Sequence, residues 1–374
     1  MMMMTDAFPT WARWIPLCFM GIMSACQSVE PPQSLSALHE QLVSTADIPA
    51  VAMLVVEADS IHYLSAQGVR FLDSEDSIAL DDPFHLGSNT KAMTALGIAK
   101  WLDQAPQGWN TPLQALMAGT GLEILPPYQG ITMADLLSHR AGIAPFTDLM
   151  AFDTLPKWSG SVRDRRLAFT EWLVHQPPGP QGEYDYSNSG YTVAATILEQ
   201  HTGLSWEEWM QDSVFEPLGI QAGFGWPMDH LENPILGHYS GEMGMPPIAH
   251  TPEMSYRVSP LIASAGDIMI SAPEWAKLLQ EFLRGHRGES TFLGQEQWKY
   301  LLESRPTYSM GWRREVENGI EIFHHAGTAG TFYTTAVIIP DRNIAFAIMT
   351  SAGPDFAGDP ILSIKQVLTD RYTR

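Results

Sequence analysis

Cysteine is almost missing from this chain. There are 2 in 374 residues, Cys18 and Cys26, so nothing after Cys26 holds a disulfide or a thiolate metal site. Basic residues are also scarce, 21 against 42 acidic ones, for a formal charge of −21. A surface this acidic repels polyanions, which excludes nucleic acid as a natural partner. Several catalytic signatures do not occur. There is no Gly-x-Ser-x-Gly, as an α/β-hydrolase elbow requires, no His-Glu-x-x-His, and no Gly-Lys of a phosphate loop. His324 and His325 are adjacent, and neighbours on a strand face opposite ways, so no shared metal and no cofactor are expected. Disorder is excluded as well, because 12 Trp, 15 Phe and 11 Tyr require a core.

The first residues read as an address. Met1 to Ala25 has one basic side chain, Arg13, and an apolar stretch from Trp14 to Met23 that is too short to span a bilayer. Met23-Ser24-Ala25-Cys26 resembles a bacterial lipoprotein signal, which implies lipidation of Cys26 and a periplasmic, membrane-anchored protein. Ordinary secretion with cleavage nearby is the alternative. Gln27 to Ser34, with Pro31-Pro32, reads as a tether. Contact with the membrane is expected only through Cys26.

Beyond the tether, Leu35 to Ala46 has helical spacing. Ala50 to Val56 and Ile61 to Gly68 read as a hairpin turning at Asp59-Ser60. Lys91 to Leu102 is apolar all round, the mark of a buried helix. Thr132 caps a short helix through Leu137. Tyr191 to His201 is a helix ended by Gly203. Ala272 to Leu283 is another helix. Ser309–Val316, Gly319–His325, Phe332–Ile339 and Ile344–Thr350 are strands, the last two joined at Pro340-Asp-Arg-Asn343. Ile361 to Arg371 closes the chain as a helix. The expected class is α+β: an antiparallel sheet built from both termini and flanked by helices. The expected division is 35–103 with 256–374 as an α/β domain and 104–255 as an inserted helical domain.

Three short motifs carry the chemistry. Ser88-Asn89-Thr90-Lys91 puts a hydroxyl and an amine on one face at a helix start. A serine needs a base to become a nucleophile, and burial lowers a lysine's pKa toward that use. Taken alone, the pair could equally be a helix cap and a solvated lysine. Tyr186-Ser187-Asn188 offers a phenol to relay a proton and a carboxamide to hold lysine and substrate. Here the plain alternative is that Asn188 caps the next helix. His-x-Gly occurs four times, at His85, His201, His286 and His325. Only His325-Ala326-Gly327 leads into a glycine-rich turn and a strand along which a substrate backbone could lie.

In combination and order these motifs resemble the serine β-lactamase and D,D-peptidase superfamily, in its class C β-lactamase-like branch. Asp135-Leu-Leu-Ser-His-Arg-Ala-Gly142, Glu216-Pro-Leu-Gly219 and Ser264-Ala-Gly-Asp267 fall in the family order too, so the resemblance runs from about Leu35 to Thr350. It implies an acyl-enzyme on Ser88, with Lys91 and Tyr186 sharing the base and relay roles. Asn188 would hold the substrate amide and steady Lys91, and Tyr186 would act as base in deacylation. The backbone N–H groups of Ser88 and Thr328, just past Gly327, would form the oxyanion hole. His325 stands where β-lactamases carry lysine. A histidine is charged only part of the time near neutral pH, which favours peptidase or esterase action over strong β-lactam hydrolysis. The expected substrate is a D-amino-acid peptide, a small ester or a β-lactam. The alternative is a binding protein on the same fold that grips cell-wall peptide without turnover. His139 is expected to order a turn, Trp206, Trp209 and Met210 to lie in the core, and Arg163, Arg165 and Arg166 to sit on a solvated helix surface.

Overall fold

The computed structural model describes residues 33–45, 48–148, 152, 155–240 and 246–374. The expected leader, Cys26 and all but the end of the tether lie outside them. Seven strands form one antiparallel sheet: β1 (Ala50–Val56), β2 (Ile61–Gly68), β3 (Tyr308–Ser309), β4 (Trp312–Glu317), β5 (Ile320–Thr328), β6 (Tyr333–Ile339) and β7 (Ile344–Thr350). Their spatial order is β2-β1-β7-β6-β5-β4-β3, so the two ends of the chain do supply one sheet. An antiparallel sheet built from both termini and flanked by helices is the architecture expected from the sequence.

Each central strand is apolar on both faces because both faces are covered. Along β1, Val51, Met53 and Val55 enter one core, and Ala52, Leu54 and Val56 enter the other. The first core is closed by α1 (Leu35–Thr45) and by the carboxy-terminal helix, whose Ile361, Ile364 and Leu368 lie in it. That helix begins at Pro354, earlier than its periodicity suggests, and runs through Pro360 to Thr373. Packing of its apolar face on the sheet outweighs one lost backbone hydrogen bond.

The second core is lined by α2 (Thr90–Leu102), α3 (Val162–Leu173), α4 (Asn188–Thr202) and α5 (Ala272–Arg287), of which α5 packs directly on the sheet; the carboxy-terminal helix is α6. Twelve of the thirteen residues of α2 are buried, Lys100 being the exception. The segment read as one strand from Ser309 splits into β3 and β4 at Gly311, which has φ +91° and lies against the backbone of Lys91 and Ala92. Residues 34–374 form one compact unit. Among the described residues no helix is long and apolar enough to cross a membrane.

One expectation fails here. Arg166 is not solvated but wholly buried in α3, donating to Glu199 of α4 at 2.7 Å and also ion-paired with Glu207. A buried guanidinium is stable only when paired in this way. Trp312, on β4, lies in the core against Phe282, with ring centroids 5.3 Å apart.

Candidate active site

Ser88 sits in a tight 3₁₀ turn, Gly87–Asn89, that runs directly into α2. Lys91 leaves the same face of α2. Its Nζ lies 3.1 Å from Ser88 Oγ, 2.8 Å from Asn188 Oδ1 and 2.8 Å from the Ala265 carbonyl oxygen. Burial is complete, and it pushes the amine's pKa well below the usual lysine range. These partners fit a neutral amine, the form that burial favours. Carbonyl oxygens only accept, so those of Asn188 and Ala265 take the two N–H bonds of a neutral amine. The remaining lone pair then faces the Ser88 hydroxyl.

Asn188 opens α4 but does not cap it. Ser187 is the cap, its Oγ accepting from Gly190 N–H at 3.0 Å. The Asn188 carboxamide is therefore free to bridge Lys91 and the Phe146 carbonyl, to which its Nδ2 donates at 2.9 Å. The Tyr186 ring centroid is 4.8 Å from Lys91 Nζ, and its hydroxyl lies close enough to Ser88 to be influenced by it. Burial raises this phenol above its ordinary value, and the serine contact pulls the other way. It is thus a neutral phenol rather than a standing phenolate, which weakens its expected part as an independent base.

His139 builds the loop that carries Tyr186. It takes φ +62° after its short helix, accepts Ser187 N–H on Nδ1 at 3.0 Å, and gives its carbonyl to Asp185 N–H at 2.8 Å. Its ring lies 4.4 Å from that of Tyr186. Ordering a turn is what the sequence suggested for it, and the turn is the one that holds the second motif.

His325, on β5, points to the Lys91 side of the sheet, while His324 faces Glu315 and Lys365 on the other. His325 Nε2 meets the Tyr308 hydroxyl at 3.0 Å and Nδ1 meets the Ala326 carbonyl at 2.7 Å. Burial first, then the nearness of Lys91, hold its pKa well below the usual histidine value. The partial charge expected of it near neutral pH is therefore absent. A neutral imidazole with both nitrogens engaged attracts no carboxylate.

Gly327 and Thr328 end β5 against the serine turn. A Cβ on Gly327 would stand 2.7 Å from Ser88 N, and one on Gly87, at φ +49°, would overlap the Thr328 backbone. Glycine at both positions lets the two backbones touch, so the serine turn and the end of β5 lie side by side.

Positive charge lies at the rim instead. Arg313 on β4 and Arg140 approach the ring of Tyr184, their guanidinium carbons 6.0 and 5.8 Å from its centroid. Arg313 is exposed and has no ion pair among the described residues, and its charge is felt by Tyr186 and His325. Nothing in the sequence marks this arginine, since an arginine on a strand is ordinary. Nor could it reveal the Ala265 and Phe146 carbonyls, since every residue has one.

The Beta-lactamase family model matches residues 35–368. Penicillin-binding protein 4 of Amycolatopsis lactamdurans is 23% identical, covering 82% of this chain and 81% of its own length. Protein flp of Staphylococcus aureus (strain MRSA252) is 20% identical over 87% of this chain, which spans 64% of that protein. Among solved structures, a class C beta lactamase from Rhodobacter sphaeroides superposes with a TM-score of 0.68 at 19% identity, covering 90% of this chain and 98% of that one.

Proposed function

This chain belongs to the beta-lactamase family, and on that premise we propose that it is an exported serine hydrolase that cleaves an amide or ester through an acyl-enzyme on Ser88. One observation carries the reading: a buried lysine whose two carbonyl neighbours leave its lone pair for the serine hydroxyl. Ser88 Oγ attacks the substrate carbonyl as its proton passes to Lys91 Nζ. The N–H groups of Ser88 and Thr328 hold the oxyanion. Tyr186 gives its proton to the leaving group and is recharged from Lys91. Water then attacks the acyl-serine along the same relay in reverse, with Tyr186 passing its proton inward and Ser88 regaining its own.

On the substrate, the neutral His325 argues against a carboxylate held at the third motif. Arg313 and Arg140 favour an anionic leaving group entering past Tyr184, as the carboxy-terminal residue of a D-amino-acid peptide would. The Met23–Cys26 sequence supports export and lipidation of Cys26. A panel of neutral p-nitrophenyl esters, nitrocefin and D-Ala-D-Ala peptides, run with wild type and Ser88→Ala, tests the proposal. Turnover of at least one class that vanishes in Ser88→Ala is expected. Peptide binding without turnover of any class would favour the binding-protein reading instead.

A further inference from the structure

The serine turn is held from beneath by a pair of residues outside the three motifs. His85 is wholly buried, its ring between Trp226 at 4.9 Å and Phe332 at 6.3 Å. Its Nδ1 accepts the backbone N–H of Gly87 at 3.1 Å, and its Nε2 lies 3.0 Å from Asp267 Oδ1. A carboxylate only accepts, so Asp267 fixes the proton on Nε2 and leaves the Nδ1 lone pair for Gly87. The peptide so gripped is the one whose positive φ brings the turn against Thr328. Two neighbouring strands fix only the residue before it, through Leu86 N–H to the Ile268 carbonyl at 2.9 Å and Thr334 Oγ1 to the Leu86 carbonyl at 3.0 Å. Asp267 lies two residues after Ala265, whose carbonyl holds Lys91. One short segment thus touches both the amine and the turn.

We propose that His85 and Asp267 are positioning residues for the oxyanion hole: Asp267 sets the imidazole tautomer, and His85 orients the Gly87 peptide so that Ser88 N–H and Thr328 N–H converge. The inference rests on the serine-hydrolase reading above. A group of this kind acts only where negative charge develops, so removing it lowers kcat and leaves KM nearly unchanged.

The test compares His85→Leu, which fills the space without an acceptor, with His85→Asn, whose Oδ1 falls near the place of Nδ1. On the ester that wild type turns over best, His85→Leu is expected to lose roughly ten- to a hundredfold in kcat, short of the 10²–10³ for deleting an oxyanion donor. Affinity for a boronic acid, which forms a tetrahedral anion on serine, should fall in parallel, and His85→Asn should recover most of both. A folded His85→Leu with wild-type kcat, or a His85→Asn no better than it, would overturn the proposal. If the variants do not fold, nitrogen-15 shifts of the wild-type histidines decide: His85 should be the Nε2–H tautomer, and Nδ1–H would refute the dyad. Failure of the wild type to react with a fluorophosphonate would instead count against the hydrolase reading, leaving the tautomer measurement as the separate check.

Discussion

Replacing Lys91 by methionine isolates the step on which the mechanism turns. The side chain keeps its approximate length and loses its amine, so contacts to Ser88 Oγ, Asn188 Oδ1 and the Ala265 carbonyl vanish together. General-base catalysis contributes about 10²–10⁴ in rate, or roughly 3–5 kcal/mol at 1.36 kcal/mol per tenfold. Stability responds differently. Two buried acceptors are left unpaired, at about 1–3 kcal/mol each, while the cost of burying an amine disappears. The terms oppose one another, and the melting temperature should move little. The assay is a rapid-mixing burst of p-nitrophenol from an ester substrate, with circular dichroism as the control for folding. In wild type, burial favours the neutral amine, so the acylation rate should rise with pH along a limb far below the ordinary lysine value of 10.5. In Lys91→Met that limb should vanish. A folded variant acylating within about tenfold of wild type would refute the base assignment, since one decade is below the smallest contribution expected.

Three other substitutions test separate parts of the site and its support. Gly87→Ala puts a Cβ into the Thr328 backbone from a φ of +49°, and should cost about 10² in kcat, as for loss of one oxyanion donor, measured on the same ester. Arg166→Met leaves Glu199 buried without its partner and should lower unfolding free energy by about 3–5 kcal/mol in urea titration. Arg313→Gln should raise KM about fivefold for substrates whose leaving group bears a carboxylate, the worth of roughly 1 kcal/mol at an exposed site, and leave neutral esters unchanged.

What the sequence disclosed follows from what is local. Ser88 and Lys91 are three residues apart at a helix start, so their spacing put them on one face, where they approach to 3.1 Å. The β1–β2 hairpin and β7 begin and end where alternation and turn residues put them. Contacts made across long separations were hidden. His85 looked like one of four His-x-Gly patterns because its partner, Asp267, is 182 residues away. Arg166 looked like surface because Glu199 and Glu207 lie 33 and 41 residues further on. The charge state of His325 was misjudged for a similar reason: its burial and the nearness of Lys91 are properties of the folded site.

The central claim is that Ser88 becomes acylated. Intact-protein mass spectrometry after brief exposure to a fluorophosphonate, followed by peptide mapping, measures it directly. A single adduct on Ser88 that is lost in Ser88→Ala is the expected result. No adduct on folded wild-type protein, or one that persists in Ser88→Ala, would contradict it.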